Sequence, residues 1–153
     1  MRIALTLILS FSICACATVP GNAPHYRRAV SPGPGLANVY IYRIGAYPTL
    51  RTPKVTIDGS RIFDPPEKSY TVVTLPGGLH EMKIDWAWDT GWPDLDFPIS
   101  VVAGQSLYIK ISGSFRGTGR GFQAGSYAKE VPQATADYEL ANCCRLIAPS
   151  GTH

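Results

Sequence analysis

The side chains of this chain best suited to covalent chemistry are its cysteines. Four are present, and two of them, Cys143 and Cys144, are adjacent near the C-terminus. Adjacent thiols either pack as small apolar groups or close a strained vicinal disulfide in an oxidising compartment. No histidine lies close in sequence to activate a thiolate. We therefore expect two free thiols at the end of a helix, with a vicinal disulfide and then disulfide exchange with a partner as the alternatives.

Three aspartates that could bind a metal, Asp89, Asp94 and Asp96, lie close together in sequence. A Ca²⁺ site needs about six to eight oxygen ligands, and this stretch has no glutamate at a fixed offset to complete one. Residues 89–91 also read Asp-Thr-Gly, the triplet that carries the catalytic carboxylate of aspartic proteases. Trp92 stands where those proteases have Ala or Ser, and the triplet is equally a good turn. We predict a solvated polar loop.

The three tryptophans are the strongest binding candidates. Trp86 and Trp88 continue an apolar alternation and are expected to lie in the core. Trp92 follows in a loop, and exposed aromatic side chains are typical of binding surfaces and of carbohydrate stacking. Trp92, with Asp94 and Asp96, is therefore predicted to contact a ligand or a partner.

A glycine-rich segment contains Gly117, Gly119 and Gly121. Such a segment can cradle a phosphate when a helix N-terminus follows it, and no helix is predicted there. We expect a hairpin instead. Arg116 and Arg120 lie next to these glycines and are candidate contacts for an anionic partner.

A lone histidine, His80, opens the most regular strand pattern. With no metal ligand near it in sequence, its imidazole is expected to bond to a backbone carbonyl at the edge of the core. No Ser-His-Asp, Cys-His or paired-carboxylate set can be argued from the spacing. We therefore predict that the protein is not an enzyme and that it uses no cofactor and no metal.

The N-terminus has the layout of a secretory signal peptide. Arg2 precedes an apolar run over Ile3–Ile13, which is shorter than the roughly 20 residues that cross a bilayer. Ala15-Cys16, which follows this run, resembles the lipobox of bacterial lipoproteins. The resemblance implies cleavage after residue 15 and acylation of Cys16. Ala17 stands where inner-membrane lipoproteins often carry Asp, which implies anchoring in the outer membrane of the cell envelope, facing the periplasm.

The composition describes one folded domain behind a tether. Removal of residues 1–15 leaves about 138 residues, the size of a single domain. The net charge of +3 is scattered without a basic stripe, so no nucleic-acid partner is expected. Residues 16–35 contain four prolines and lack periodicity. We predict a flexible tether there, with a root-mean-square span of about 25 Å.

Residues 36–147 show the alternation of β-strands, separated by turn signals such as Asp58-Gly59. The strand that begins at His80 is apolar on one face and polar on the other, as in an antiparallel sheet over a core. Pro132 begins the predicted helix, and residues 148–153 form a tail. The spacing predicts a mainly β fold: a small antiparallel β-sandwich of about seven strands with one C-terminal helix.

Four segments of this strand region together resemble a known family. They are Val39-Tyr40-Ile41-Tyr42-Arg43, Val55-Thr56-Ile57-Asp58-Gly59, Leu75-Pro76-Gly77-Gly78-Leu79-His80 and Ala103-Gly104-Gln105-Ser106-Leu107-Tyr108-Ile109. Over roughly residues 36–146 the chain is similar to the bacterial lipoprotein family catalogued as domain of unknown function 2846. The resemblance implies a small antiparallel β-sandwich in an envelope lipoprotein, and it brings no established activity.

These features together predict a non-enzymatic envelope lipoprotein that presents its β-sandwich to another envelope component. Its expected partners are the membrane, through the N-terminal lipid, and an envelope protein, since open sheet edges invite strand addition. The alternative is a small-ligand or glycan-binding module that uses loop aromatics around Trp92.

Overall fold

The structure is mainly β with one helix near the C-terminus, as predicted. The computed structural model describes residues 18–45, 51–119 and 121–150. Its strands and helix are β1 (Leu36–Arg43), β2 (Lys54–Ile57), β3 (Ser60–Phe63), β4 (Ser69–Pro76), β5 (Gly78–Asp85), β6 (Leu95–Val101), β7 (Ser106–Thr118), β8 (Gly121–Glu130), α1 (Gln133–Cys143) and β9 (Arg145–Leu146). A short 3-10 turn, Trp88–Thr90, lies between β5 and β6.

The strands form two sheets, one with the order β8-β7-β1-β4-β9 and one with the order β3-β2-β5-β6. The second sheet is antiparallel throughout, as expected. The first sheet is mixed, because β1 pairs with β7 in parallel and β4 pairs with β9 in parallel. The predicted mainly β fold of two sheets is confirmed, and the predicted antiparallel pairing does not hold for these two strand pairs of the first sheet. Between β4 and β7 the chain builds part of the second sheet, and it re-enters the first sheet beside β1 in the same direction.

The central strand β1 is buried on both faces, which accounts for its two apolar faces in the sequence. Val39 and Ile41 point between the sheets and join a core with Met82, Ile84 and other residues of the second sheet. Burying each such aliphatic side chain contributes about 1.5–3 kcal/mol, so this core is the main source of stability.

The opposite face of β1 carries Tyr40 and Tyr42, and a third layer covers it. Helix α1 begins directly after Pro132, as predicted, and buries Ala136 and Leu140 against the tyrosines. The two buried residues are one turn apart, so one narrow stripe of the helix contacts the sheet. The helix ends at Cys143, and the extended conformation of Cys144 leads into β9.

Part of the predicted tether packs against the domain. Tyr26 packs edge-on against the rings of Tyr40 and Tyr70. The backbone N–H of Ala29 donates to the Tyr40 hydroxyl at 2.8 Å, and the N–H of Leu146 donates to the carbonyl of Pro24 at 2.8 Å. Prolines hold this stretch extended but leave its carbonyls free to accept hydrogen bonds. The prediction of a free tether is therefore wrong for residues 23–30.

We name the two ends of the sandwich after the ends of β1. At the Leu36 end, Leu36 is paired with Pro76, and β5 begins just beyond it at Gly78. At the Arg43 end, Arg43 is paired with Ser69, and the Arg43 guanidinium lies 5.2 Å from the ring of Trp86, just after β5 ends. Strand β5 therefore runs from the Leu36 end to the Arg43 end.

Candidate functional site

A surface pocket of about 430 Å³ lies where the β2–β3 turn meets β5 and β6. This volume falls in the range that accommodates a small ligand or a partner's side chain. The pocket, which we call the acidic pocket, is lined by Asp58, Leu79, His80, Glu81, Asp96, Phe97 and Pro98. Asp58 and Gly59 both have positive φ, as a tight hairpin turn requires, and this turn brings the Asp58 carboxylate over β5.

His80 is held at both ring nitrogens. Its Nδ1 lies 2.6 Å from Oδ2 of Asp58, and its Nε2 lies 2.9 Å from the carbonyl oxygen of Pro76. Both neighbours are acceptors, and imidazole donates from both nitrogens only when it is protonated. The bond to Asp58, followed by the bond to Pro76, raises the pKa of His80. The predicted backbone carbonyl partner is confirmed, and Asp58 is an additional partner.

Asp58 is fixed by the same contacts. Its Oδ1 accepts a hydrogen bond from the N–H of Glu81 at 2.9 Å. The hydrogen bond from His80, and then that from the Glu81 backbone, lower the pKa of Asp58. The pair was not found from the sequence, because Asp58 and His80 are brought together by the pairing of β2 with β5. The sequence does show that both residues lie at turn motifs, Asp58 in Asp58-Gly59 and His80 just after Pro76-Gly77-Gly78.

The acidic pocket combines negative charge with apolar surface. The carboxylates of Asp58, Glu81 and Asp96 are set beside Phe97 and Pro98, and Leu79 is 75% exposed at the rim. Such a surface suits a cationic side chain, whose charged end meets carboxylates while its stem covers apolar groups. Of the residues predicted to contact a ligand or partner, Asp96 is the one that lies in this pocket.

The tryptophans are arranged differently from the prediction. Trp86 is buried as expected, but Trp92 is also buried, at 6% exposure, while Trp88 is 95% exposed. The alternation that predicted Trp88 to be internal stops where β5 ends at Asp85. The loop then turns back and packs the Trp92 ring 6.1 Å from that of Trp86. Trp92 is therefore a core residue. The alternative function, a glycan-binding module built on Trp92, lacks the exposed ring that it would need for stacking on a sugar.

The remaining predicted contact residues do not converge on one site. The Asp94 carboxylate accepts a hydrogen bond from the Trp86 backbone N–H at 2.7 Å and so closes the loop. Arg116 lines a separate surface depression on the β7–β8 hairpin. Arg120 lies outside the described residues. The hairpin itself was predicted, and it accounts for the glycines around it.

The Asp-Thr-Gly triplet serves as a turn. Asp89 lies in the 3-10 turn and pairs with Arg51, and Gly91 adopts positive φ after it. Asp89, Asp94 and Asp96 thus have three separate roles. Across residues 18–45, 51–119 and 121–150, no group of three His, Cys, Asp or Glu side chains is arranged to hold a metal ion.

Arg43 is a fully buried cation that organises its end of the sandwich. Its Nη1 donates to the carbonyls of Arg51 and Pro65 at 2.7 and 3.0 Å, and its Nε lies 3.6 Å from the Glu67 carboxylate. Desolvation lowers the pKa of Arg43, and the nearby Glu67 carboxylate opposes that shift. These contacts tie the loop after β3 and the segment before β2 to the end of β1.

A second polar network lies beneath helix α1. The Tyr42 hydroxyl donates to Glu139 at 2.6 Å, and Lys110 donates to the other oxygen of Glu139 at 2.7 Å. Desolvation opposes ionisation of Glu139, but the hydrogen bonds from Lys110 and Tyr42 together lower its pKa. Burial, followed by the bond to Glu139, raises the pKa of Tyr42. These groups hold the helix on the sheet.

Cys143 and Cys144 are joined in a disulfide, which was the alternative to the free thiols expected from the sequence. Cys144 is buried under the helix, and Cys143 lines a surface pocket with Glu67, Lys68, Arg145 and residues 18–21. The disulfide thus lies beside the first described residues of the chain. Cys16, the predicted site of acylation, lies outside the described residues.

The fold and these sites define a mainly β domain of two packed sheets with a C-terminal helix. In the part of the chain that the structure describes, no helix has the length and apolar character needed to cross a membrane. Comparison with protein-family models, with curated proteins and with solved structures found no match. The similarity to domain of unknown function 2846 therefore stays a prediction from the sequence motifs.

Proposed function

We propose that this protein is a non-enzymatic, lipid-anchored lipoprotein of the bacterial envelope that acts by presenting the acidic pocket to another envelope component. The observation that carries the proposal is the acidic pocket itself, where the exposed Leu79 lies beside carboxylates and the hydrogen-bonded His80. Both ring nitrogens of His80 are hydrogen-bonded, to Asp58 and to the Pro76 carbonyl, so the imidazole fixes the shape of the pocket.

The proposed partner is a basic segment of an envelope protein. Asp58 is already paired with His80, and the carboxylates of Glu81 and Asp96 in the same pocket favour a Lys or Arg side chain. The exposed Leu79 beside Phe97 favours apolar contact next to that charge. A preformed pocket limits the entropy lost on binding, because the Asp58 and His80 side chains are already ordered by hydrogen bonds.

In-cell photo-crosslinking from the pocket rim tests this proposal. A photo-reactive amino acid in place of Leu79 is expected to capture a specific envelope protein. The matched control has the same amino acid in place of Tyr138, which is similarly exposed, at 73%, but lies on helix α1. Equal capture from both positions, or no capture from position 79, would contradict the proposal. Capture of a glycan from position 79 would support the alternative class of function.

The anchor is tested separately. Mass spectrometry of the mature protein is expected to find Cys16 as the N-terminal residue, carrying a diacylglycerol thioether and an N-acyl chain. Several acyl chains on one residue give a firm anchor, since each buried methylene contributes about 0.8 kcal/mol. An unmodified Cys16 in the mature protein would refute the lipoprotein assignment.

A further inference from the structure

The indole side chain of Trp88 is exposed to solvent on an ordered loop. It is 95% exposed, whereas Trp86 and Trp92 on either side of it are buried and packed together. The loop is also closed by hydrogen bonds from Thr90 to the Ala87 carbonyl and from the Trp86 N–H to Asp94. The exposure of Trp88 is therefore imposed by an ordered loop, and its apolar ring is available to a partner surface.

A continuous series of contacts places this loop at the Arg43 end of the sandwich. Asp89, next to Trp88, accepts from Arg51, and the Arg51 carbonyl accepts from the Arg43 side chain. The Arg43 carbonyl accepts from the N–H of Lys68, and the Lys68 carbonyl accepts from the N–H of Arg145. The Trp88 loop and Lys68 therefore belong to the same end.

The described chain also begins at this end. Residues 18–21 line one pocket together with Glu67, Lys68, Cys143 and Arg145. Between Thr18 and Cys16 stands Ala17 alone, so the α-carbons of Thr18 and Cys16 are at most about 7 Å apart. Lipid on Cys16 would therefore bring the Arg43 end to the bilayer surface.

We propose that the Arg43 end rests on the bilayer and that Trp88 inserts among the lipid headgroups of the leaflet that holds the acylated Cys16. The inference rests on the proposed lipid anchor. Tryptophan prefers the membrane–water interface because its ring is apolar while its N–H can still bond to polar groups. A lipid surface is the partner favoured here, because the chain start and Trp88 share one end of the domain.

The charged side chains at the Arg43 end contribute less to membrane binding than the acyl chains and Trp88 do. Arg51, Lys54 and Lys68 are exposed there, which favours anionic phospholipids. Arg51 and Lys54 are, however, paired with Asp89 and Asp85, so much of their charge is neutralised. The acyl chains supply the affinity, and Trp88 meets the surface together with the β7–β8 hairpin, which extends past Ile111, the partner of Arg43. In this orientation the acidic pocket, near the start of β5, points away from the membrane.

Quenching of tryptophan fluorescence by brominated phospholipids tests the inference. The full acylated protein is reconstituted into vesicles of phosphatidylethanolamine and phosphatidylglycerol, with or without bromine on the acyl chains. Because Trp86 and Trp92 are buried, the expected quenching and blue shift come from Trp88. Both should be lost in Trp88→Phe. In the matched control Leu79→Trp, made in the Trp88→Phe background, the new exposed tryptophan at the opposite end should stay unquenched.

The outcomes separate the inference from the anchor on which it rests. If Cys16 is acylated and the wild-type emission is not quenched, the inference is wrong and the anchor stands. If the tryptophan at position 79 is quenched as strongly as Trp88, the proposed orientation is wrong. If mass spectrometry finds Cys16 unmodified, the proposed function fails and the inference fails with it.

Discussion

At the scale of single residues, the His80–Asp58 pair links stability to pH. The raised pKa of His80 means that its contribution is present below its unfolded value of about 6.5 and is lost as the pH rises through the folded pKa. The lowered pKa of Asp58 means that its contribution is present above about pH 3.8 and is lost as the pH falls through the folded pKa. The pair therefore stabilises the fold most between these values.

We expect His80→Gln to reduce the free energy of unfolding most between about pH 4 and 6.5, and by less at higher pH. The loss should stay below about 1 kcal/mol, because Asp58 is half exposed and water screens the pair. Urea unfolding at several pH values measures it, and Asp58→Asn should remove the same pH dependence. A folded-state pKa for His80 at or below 6.5, measured by NMR, would contradict this account.

Arg43 provides a second test at this scale. Arg43→Lys keeps the charge but loses the planar donor group that reaches the carbonyls of Arg51 and Pro65. Leaving buried acceptors unsatisfied should cost about 1–3 kcal/mol of unfolding free energy, measured by urea denaturation. The control Arg61→Lys changes an exposed pair with Asp64 and should cost far less, because water screens that pair. Equal effects would show that burial of Arg43 is energetically unimportant.

At the scale of elements, the segment before β1 behaves as part of the domain. Tyr26 connects it to the sheet through two aromatic rings and to helix α1 through Asp137. We expect Tyr26→Ala to cost about 2 kcal/mol and to speed amide exchange at Ala29, whose N–H bonds to Tyr40. Val30→Ala, at an exposed position of the same segment, is the control and should change neither quantity. Wild-type exchange at Ala29 at the unprotected rate would instead indicate a free tether.

The strands that could be predicted are those whose alternation follows from burial on one or both faces. Strand β5 could be predicted because Met82 and Ile84 alternate with exposed residues. The turn at Asp58 could be predicted because the glycine that follows it, Gly59, readily adopts positive φ. The parallel pairing of β1 with β7 could not be predicted, because the alternation of apolar and polar residues carries no information on strand direction. Trp88 and Trp92 were placed wrongly for a related reason: past Asp85 there is no strand for the period to describe.

At the scale of the whole molecule, the attached segment changes how the domain meets a membrane. A free tether over residues 16–35 would allow every orientation at a distance of about 25 Å. Residues 23–30 are held on the domain, and residues 18–21 line a pocket with Glu67, Lys68, Cys143 and Arg145 at the Arg43 end, so the connection from the domain to the proposed anchor is short. The domain should therefore lie directly on the bilayer, with the acidic pocket at the far end.

Lengthening this connection tests the whole-molecule arrangement. Ten Gly/Ser residues inserted after Ala17 add a flexible spacer of about 18 Å root-mean-square length and so lower the effective concentration of Trp88 at the surface. We expect weaker quenching of Trp88 by brominated lipids, while the urea midpoint stays unchanged because the insertion precedes the packed segment. Insertion of the same spacer after Gly104, in the turn between β6 and β7 at the Leu36 end, is the control and should leave quenching unchanged. Undiminished quenching in the Ala17 variant would mean that Trp88 holds the domain on the membrane by its own affinity and that the short connection does not set the orientation.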